Sequence, residues 1–388
     1  MPLTIIDALL PDGRRTNVRI VDGRVQSVGG AAAPADELLQ ADGRLLLPAM
    51  AEAHAHLDKA FLAETVPNPT GDLMGAIVAM EEYRDVITLE NTIERAERAA
   101  RLIAANGATA IRTHADITEG IGLQAVEALI TVRERLRSLV RIEIVALGGM
   151  PILGPEGANS RALLRDAIAA GVDLVGGCPH LESDPVAATD FWLATADDAG
   201  LPVDLHTDET LDPSRFALPY LADIVRRSGF AHRVTASHCV SLGVQPHDVQ
   251  RATAEALAEA DISVIALPSS NLFLQGRDQQ VSMPRALTAV KTLRECGVNL
   301  AAGADNLQDP FNLVGRGDCL ETASLMVMAG HLSPDVAYHS VSGAVRSLMG
   351  LPRAGTEVGD VAELVLVDAG SVREAVAFGP PNRTVVRA

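Results

Sequence analysis

The stretch AEAHAHLDKAF, residues 51–61, follows the apolar run 45–50 and carries two histidines separated by one residue. Side chains at positions i and i+2 of a β-strand point to the same face, so His54 and His56 can reach one point from a strand. Two neutral imidazoles provide half of a tetrahedral metal site. The stretch alone is weak evidence, because His-x-His pairs also occur in half-buried strands that bind nothing. The remaining ligands must come from elsewhere in the chain.

The composition is that of a globular protein. The chain has 388 residues, of which 48% are hydrophobic, and glycine and proline are near average usage. This length favours one large domain with a small accessory one. The formal net charge of −18 is spread along the chain and disfavours nucleic acid or an anionic membrane surface as a partner. A small-molecule substrate is compatible with this charge.

The N-terminal segment MPLTIIDALLPDG has no basic region followed by a sustained apolar core. No run of 18 uncharged apolar residues occurs that would predict a membrane-spanning helix. The four cysteines, Cys178, Cys239, Cys296 and Cys319, are widely spaced without a CxxC motif, which is typical of free thiols in a reducing compartment. These features predict a soluble, cytoplasmic protein.

The two ends of the chain have the pattern of short strands. Residues 3–47 alternate apolar stretches with turns, and the Asp-Gly pair at 22–23 predicts a hairpin between 18–21 and 24–28. From Gly355 onward, the stretches VAELVLVDA, REAVAFG and RTVVRA predict strands again. We therefore expect residues 1–47 and 355–388 to form one small β-sandwich domain.

Between these ends, eight apolar strands alternate with amphipathic helices, as in a (β/α)8 barrel. A doubly wound sheet is the competing fold, but no glycine-rich strand-turn-helix signal favours it. The predicted fold is therefore α/β, with a TIM-type (β/α)8 barrel as the catalytic domain over residues 48–354. The predicted barrel strands are 45–50, 108–113, 141–147, 173–177, 202–205, 233–237, 263–267 and 299–303.

Polar residues close five of these strands, at the end where barrel enzymes carry their active sites. Each could be structural, since a lone histidine at a strand end is usually hydrogen-bonded and Asp305 could cap the helix that follows. Five such coincidences at one rim predict a metal centre. The closing residues are His54 and His56, the run RTHAD at 112–116, the run HTDE at 206–209, His238, and Asp305 with Asn306.

The motifs AEAHAHLDKAF, RTHAD, DLHTDET, TASHC and AGADNLQDPF resemble, in order and spacing, the strand motifs of the amidohydrolase superfamily, in its cytosine deaminase-like branch. The resemblance covers most of the chain, including GVDLVGGCPH and NLFLQGR. It implies one divalent ion, Zn²⁺ or Fe²⁺, held by His54, His56, His206 and Asp305 with a position left for water. Such an ion lowers the pKa of its water and supplies hydroxide.

The resemblance also implies catalytic roles. Glu209 would shuttle a proton to the substrate nitrogen, and His238 would hydrogen-bond the attacking hydroxide or the developing oxyanion. Asp305 can also accept a proton from the water. Two-metal members of the superfamily have a carboxylated lysine at the end of strand 3 or 4, and the two lysines here, Lys59 and Lys291, lie elsewhere. One metal ion is therefore expected.

The residues expected to contact substrate depart from the cytosine deaminase pattern. Gly149 stands where that enzyme has a glutamine that hydrogen-bonds the pyrimidine ring. Asn306 follows the metal-binding aspartate where cytosine deaminase typically has a second aspartate, as in relatives that hydrolyse substituents from triazine rings. Cytosine is thus not the expected substrate. Lys59 either pairs with a nearby carboxylate such as Asp58 or contacts an anionic or carbonyl-bearing substrate group.

Three further side chains are candidates for substrate contact. Phe311 would either stack on a flat ring or pack beneath its own loop. Gln275 and Arg277, on the loop after strand 7, could approach the substrate, although an arginine there could equally be solvated.

The sequence thus predicts a mononuclear metal-dependent hydrolase of carbon–nitrogen bonds. Its expected reaction is deamination of a small N-heterocycle or cyclic amidine, with release of ammonia after metal-hydroxide attack. The alternative is hydrolysis of a cyclic amide or removal of an N-alkylamine at the same site. A barrel that binds metal or ligand without catalysis is disfavoured, because neither Glu209 nor His238 is needed to hold an ion. The family resemblance also suggests a homo-oligomer.

Overall fold

The structure, a computed structural model, describes residues 2–387. Its strands form two hydrogen-bonded sheets, one of eight strands from the middle of the chain and one of seven strands from the two ends. The strands in chain order are β1 (Leu3–Leu9), β2 (Arg15–Val21), β3 (Arg24–Val28), β4 (Glu37–Gln40), β5 (Leu45–Pro48), β6 (Met50–Ala55), β7 (Ala108–Ile117), β8 (Arg141–Gly148), β9 (Leu174–Gly177), β10 (Val203–Thr207), β11 (Val234–His238), β12 (Ser263–Ala266), β13 (Leu300–Ala302), β14 (Leu364–Val367) and β15 (Arg383–Val386).

The helices lie mainly between the barrel strands, and four of them end at a glycine in the left-handed conformation. For example, α6 ends at Gly229, which adopts the left-handed conformation that glycine tolerates. The helices are α1 (Leu73–Glu82), α2 (Leu89–Ala105), α3 (Gln124–Leu136), α4 (Ala158–Ala170), α5 (Pro185–Ala199), α6 (Leu218–Ser228), α7 (Val240–Gly243), α8 (His247–Glu259), α9 (Pro268–Leu274), α10 (Val290–Glu295), α11 (Cys319–Met328), α12 (Pro334–Ser340), α13 (Gly343–Leu348) and α14 (Val372–Phe378).

Strands β6 to β13 pair in parallel and in chain order, and they form the wall of a nearly closed barrel. A parallel bridge between Ala55 and Asp305 brings the chain after β13 alongside β6. There the Asp305 N–H donates to the His54 carbonyl at 2.9 Å, and the His56 N–H donates to the Asp305 carbonyl at 3.3 Å. The predicted TIM-type barrel is confirmed. This junction also places three of the candidate ligands on adjacent backbone.

The first barrel strand is shifted from its predicted position. Strand β5 belongs to the end sheet, where it pairs with β14 and β1, and the barrel begins with β6. The prediction of 45–50 as a barrel strand was therefore wrong. The residues of both strands are almost all buried, so the apolar pattern runs through the change of sheet without a break. Pro48, which lacks a backbone N–H, closes β5 and marks the boundary.

The end sheet joins both termini of the chain, as predicted. Its seven strands are connected by hydrogen bonds into one sheet in the order β15-β14-β5-β1-β2-β3, with β4 paired to β1. The stretch REAVAFG, predicted as a strand, forms α14 instead. The Ser371 side chain accepts the Glu374 N–H at its start, and Gly379 ends it in the left-handed conformation. The domain boundaries 1–47 with 355–388 and 48–354 stay a prediction.

Two glycines let the helix layer approach the barrel closely. A Cβ atom on Gly177 would lie 2.2 Å from the Trp192 ring, and one on Gly148 would lie equally close to it. Glycine at the ends of β8 and β9 therefore allows α5 to pack its buried tryptophan directly on the strands.

Among residues 2–387, no helix is both long and apolar enough to cross a membrane.

Candidate active site

Three histidines and one aspartate converge inside the barrel at the carboxyl ends of its strands. His206 Nε2 lies 3.2 Å from His54 Nε2 and 3.3 Å from His56 Nε2. Asp305 Oδ1 lies 3.3 Å from His56 Nε2 and 3.7 Å from His54 Nε2. Ligand atoms about 2.0–2.1 Å from a tetrahedral ion are separated by about 3.3 Å. The spacing of these four buried side chains therefore fits one ion.

The partners of these side chains direct their free lone pairs toward the same point. His54 Nδ1 lies 3.0 Å from Ser237 Oγ, which donates to Asp204 Oδ1 at 2.7 Å, so the Nε2 atom is left facing the centre. Ser270 Oγ donates to Asp305 Oδ2, whereas Asp305 Oδ1 is buried without a hydrogen-bond partner among residues 2–387. A buried unpaired carboxylate oxygen beside three imidazole nitrogens is what a bound cation would satisfy.

The charge state of the histidines also suits a metal ion. Burial lowers the pKa values of His54, His56 and His206 well below the usual range, and neighbouring positive or potentially positive groups lower them further. The rings are therefore neutral, which is the form that binds a metal. Three imidazole nitrogens and one carboxylate oxygen suit Zn²⁺ or another first-row divalent ion.

Glu209 and His238 lie beside this centre. His238 Nδ1 is 3.4 Å from Glu209 Oε1 and 3.1 Å from Asn271 Oδ1. Burial, followed by the charge of Asp305, raises the pKa of Glu209 well above its usual value, which favours the protonated form of this carboxyl group. Burial lowers the pKa of His238 to about 4, so this ring is neutral. The centre thus has a proton donor and an uncharged imidazole next to it.

Two of these residues have unusual backbone conformations. His238 has φ of +69° and Asp305 has φ of +65°, in the left-handed region that residues other than glycine rarely adopt. Each lies at the end of a barrel strand, where the turn directs the side chain into the barrel mouth. Such strain commonly occurs where a side chain must be held for function.

A cavity of about 450 Å³ opens above the centre. It contains four of the six residues considered from the sequence as substrate contacts, and polar groups lie among aliphatic walls, as is usual in small-molecule sites. The lining residues are His56, Lys59, Leu73, Ile77, Glu81, Arg84, Asp116, Thr118, Glu119, Leu147, Gly148, Gly149, Met150, Cys178, Leu181, His206, Glu209, His238, Leu274, Asp305, Asn306 and Phe311.

Lys59 is buried and makes an ion pair at the edge of this cavity. Its Nζ atom lies 2.7 Å from Asp116 Oδ1, 3.5 Å from Asp58 Oδ2 and 3.1 Å from His56 Nδ1. Although burial opposes the charged form, Asp116 and Asp58 raise the pKa of Lys59 above its usual value. The ion pair that the sequence offered as one alternative is therefore present, with Asp116 as its closer partner.

The other predicted contacts differ in their positions. Asn306 lines the cavity and donates through Nδ2 to Asp309 Oδ2 at 2.8 Å. Phe311 also lines the cavity and packs on a small apolar cluster that includes Ala79 and Met80 of α1, so both of its predicted roles agree with its position. A Cβ atom on Gly149 would lie 2.9 Å from the Ile117 carbonyl oxygen, so no longer side chain fits there without a backbone shift.

The loop after β12 supplies less than expected. Gln275 is not among the cavity residues, and its Nε2 donates to the Glu209 carbonyl at 3.1 Å. Arg277 donates to the Phe273 carbonyl at 2.9 Å and stacks 4.5 Å from the centre of the Phe273 ring. Both side chains therefore make contacts within the loop or with the adjacent backbone. The strand pattern in the sequence gave no information on these contacts.

Sequence reasoning gave no role to several cavity residues. Asp116 was noted at the end of β7 without an assigned function, although its alternation with His114 was the available signal. Leu73, Ile77 and Glu81 come from α1 and Arg84 from the turn after it. Their place over the cavity depends on long-range packing of α1, for which the local sequence carries no motif.

Comparisons with known proteins agree with this geometry. The chain matches the amidohydrolase family over residues 37–388. It is 32% identical over 382 residues to a pterin deaminase of Rhizobium rhizogenes, which covers 96% of this chain and 86% of that protein.

Two solved structures share the whole fold. A 5-methylcytosine deaminase from Klebsiella pneumoniae, liganded with 5-fluorocytosine, has a TM-score of 0.90 and 30% identity and covers 99% of this chain and 96% of its own. N-isopropylammelide isopropylaminohydrolase from Burkholderia multivorans has a TM-score of 0.85 and 29% identity, with coverage of 100% and 97%. This chain belongs to the amidohydrolase family and is a hydrolase acting on carbon–nitrogen bonds other than peptide bonds.

Proposed function

We propose that the protein is a mononuclear, metal-dependent aminohydrolase that releases ammonia from a small N-heterocycle or cyclic amidine. The observation that carries this proposal is the convergence of three Nε2 atoms and one carboxylate oxygen on one point of the cavity. His54, His56, His206 and Asp305 would hold one Zn²⁺ or Fe²⁺ ion. Such an ion lowers the pKa of a water molecule at its open position and makes that water a nucleophile at neutral pH.

Glu209 is proposed as the proton carrier. Because its raised pKa favours the protonated form, it can protonate the ring nitrogen while the neighbouring carbon is attacked. A proton from the attacking water then restores the carboxylic acid, which protonates the leaving amine. The amine departs as ammonia, the remaining proton of the former water returns to the Glu209 carboxylate, and the former amine carbon becomes a carbonyl. Glu209 also lies in the cavity wall, within reach of a bound ring.

His238 and Asp305 are proposed to orient the attacking water. His238 Nδ1 faces Asn271 Oδ1 and can donate to it, which leaves Nε2 as an acceptor without a partner among residues 2–387. That Nε2 atom lies 3.9 Å from Asp305 Oδ2, so both side chains face the same small space. A neutral imidazole acceptor there can hold an O–H of the water, and Asp305 can accept its proton.

The proposed substrate class is a flat ring that carries an amine beside a ring nitrogen. The relatives named for pterin and 5-methylcytosine act on rings of this kind, and the cavity has an aromatic face at Phe311 with aliphatic walls at Leu73 and Ile77. The absence of a side chain at Gly149 separates the site from the cytosine deaminase pattern. Asn306 and Lys59 complete the proposed polar surroundings, whereas Gln275 is left out.

A second candidate, removal of an alkylamine, uses the same residues. A relative named for N-isopropylammelide has a TM-score of 0.85, and Asn306 matches the residue type expected in such enzymes. The two reactions differ only in the leaving group, because attack occurs at a ring carbon in both. Product analysis separates them. The homo-oligomeric state and the cytoplasmic location expected from the sequence stay predictions.

The experiment is a screen of the metal-loaded protein against pterin, 5-methylcytosine, aminopurines, aminotriazines and cyclic guanidines, with ammonia release as the readout. Glu209→Gln is the blank. Ammonia from one ring class, absent in the blank, is the expected result. If no ring yields ammonia while N-isopropylammelide yields isopropylamine, the alkylamine candidate replaces the deaminase proposal.

A further inference from the structure

Asp116 lies at the end of β7, which at ten residues is longer than the neighbouring β6 and β8. Along β7, Arg112, His114 and Asp116 alternate, so their side chains enter the barrel at three depths. Arg112 is buried in ion pairs, and the His114 ring lies 3.9 Å from the His54 ring. Of these three, Asp116 is the one that lines the cavity.

One oxygen of Asp116 is held and the other is free. Lys59 Nζ donates to Oδ1 at 2.7 Å, and the Asp116 N–H donates to Asp58 Oδ2 at 3.0 Å. Within residues 2–387 no hydrogen bond is made to Oδ2, and 21% of the side chain is exposed. A carboxylate fixed in this way presents one oriented acceptor to whatever occupies the cavity.

Lys59 is better placed to hold Asp116 than to contact a ligand. The Lys59 nitrogen lies 2.7 Å from Asp116 Oδ1 and 3.5 Å from Asp58 Oδ2, so two buried carboxylates accept from its N–H groups. The residue is only 3% exposed. Lys59 is therefore a positioning residue, and the group available to a ligand is the carboxylate that it fixes.

The neighbouring strand leaves room for Asp116 to act. The Gly149 N–H donates to the Ile117 carbonyl at 3.1 Å, and a Cβ atom at Gly149 would lie 3.3 Å from Thr118 Cα. The backbone that extends β7 therefore occupies the space that a side chain on strand β8 would need. The same extension carries Asp116 up to the cavity.

We propose that Asp116 recognises the edge of the bound ring by accepting an N–H hydrogen bond at Oδ2. The substrate class is a heterocycle whose edge on the Asp116 side carries a ring N–H or amino donor, because a carbonyl oxygen there would face a like charge. This inference rests on the proposed function for the presence of a heterocycle in the cavity. It assigns Asp116 to specificity and leaves proton transfer to Glu209.

The test measures binding of product-type rings, so turnover is not required. Lumazine and thymine, the rings left when pterin and 5-methylcytosine lose an amine, are titrated calorimetrically into metal-loaded protein, together with each singly N-methylated form. In the wild type, methylation of the nitrogen that faces Asp116 should weaken binding about ten- to hundredfold. In Asp116→Asn, an amide NH₂ can replace the free oxygen. The methylation penalty, meaning the loss of affinity that methylation causes, should then fall below about threefold.

Glu119→Gln is the matched control, since it also converts a cavity-lining carboxylate to an amide and has no assigned contact. It should keep the wild-type penalty, and all three proteins should hold the same amount of metal. Equal penalties in the wild type and Asp116→Asn would overturn the assignment, as would failure of every ring to bind metal-loaded wild type. If methylation weakens binding to the wild type but not to Asp116→Asn, and no amine-bearing ring releases ammonia, the proposed deaminase function is refuted while the Asp116 assignment stands.

Discussion

The barrel interior contains two buried polar clusters that differ in how completely their members are paired. The upper cluster lies at the carboxyl ends of the strands and the lower cluster lies deeper in the barrel. In the lower cluster, Arg112 donates to Asp204 at 2.9 Å and to Glu143 at 3.1 Å. The upper cluster consists of His54, His56, His206 and Asp305, and the lower cluster consists of Arg112, Glu143, Asp204 and Thr235.

The difference concerns unmatched acceptors. In the lower cluster Arg112 donates to both carboxylates, so each of these buried acids has a charged donor. In the upper cluster the facing atoms are lone-pair acceptors, and Asp305 Oδ1 has no donor within residues 2–387. Buried polar groups are normally paired, so an unmatched set of acceptors indicates a site for something that the chain does not supply. We therefore assign structure to the lower cluster and chemistry to the upper one.

The largest effect should come from Glu209, beside the upper cluster. Glu209→Gln removes the carried proton but keeps the side-chain shape, so kcat should fall about 10²- to 10⁴-fold. Metal content and the melting temperature should match the wild type, because Glu209 is not one of the four proposed metal ligands. Steady-state kinetics on a substrate found in the screen measure this. A near-normal kcat would remove Glu209 from the mechanism.

A substitution in the lower cluster should lower the stability of the folded protein. Arg112→Met leaves Glu143 and Asp204 buried without their cation, so the free energy of unfolding should fall by about 3–5 kcal/mol. Denaturant titration measures the change. Arg101→Met, which breaks an exposed pair with Glu97 on α2, is the control and should cost less than about 1 kcal/mol. Equal losses in the two variants would show that the lower cluster is not a structural ion-pair network.

Asp309 tests an intermediate case, a buried carboxylate bound by neutral donors. Burial raises its pKa to about 7, while the Asn306 amide and the Phe311 N–H oppose the rise. The folded state therefore holds more protons than the unfolded state between about pH 4 and pH 7, so this group makes stability fall as pH rises through that range. Above about pH 7 its effect is constant.

Asp309→Asn should remove this dependence. Between pH 5 and pH 8, the free energy of unfolding of the wild type should fall by about 1–3 kcal/mol more than that of the variant. Denaturant titrations of metal-free protein at both pH values measure this difference. The titration of the upper cluster affects the wild type and the variant equally, so it cancels in the comparison. Parallel pH profiles would contradict the raised pKa of Asp309.

The sequence was sufficient for the barrel and for the rim residues, because strand alternation and strand-end motifs are local signals. His54 and His56 lie at the end of β6 and Glu209 lies two residues after β10, where their motifs indicated. The division between β5 and β6 was missed because the apolar run is continuous across two sheets.

Features that depend on distant contacts could not be predicted in the same way. The stretch REAVAFG alternates like a strand, yet its capping residues make it α14. The Gln275 side chain donates a hydrogen bond to the Glu209 carbonyl, and α1 reaches over the cavity through packing with residues far along the chain. The free oxygen of Asp116 is visible only once Lys59 is seen on the other oxygen.

The most direct test of the central claim is a metal titration of chelator-treated protein, with ammonia release and bound metal measured at each step. The upper cluster predicts that activity rises linearly and stops at one ion per chain. His206→Asn should lose both the metal and the activity, whereas His331→Asn, a change at an exposed histidine, should keep both. Full activity in metal-free protein, or a rise that continues to two ions, would contradict a single-ion centre.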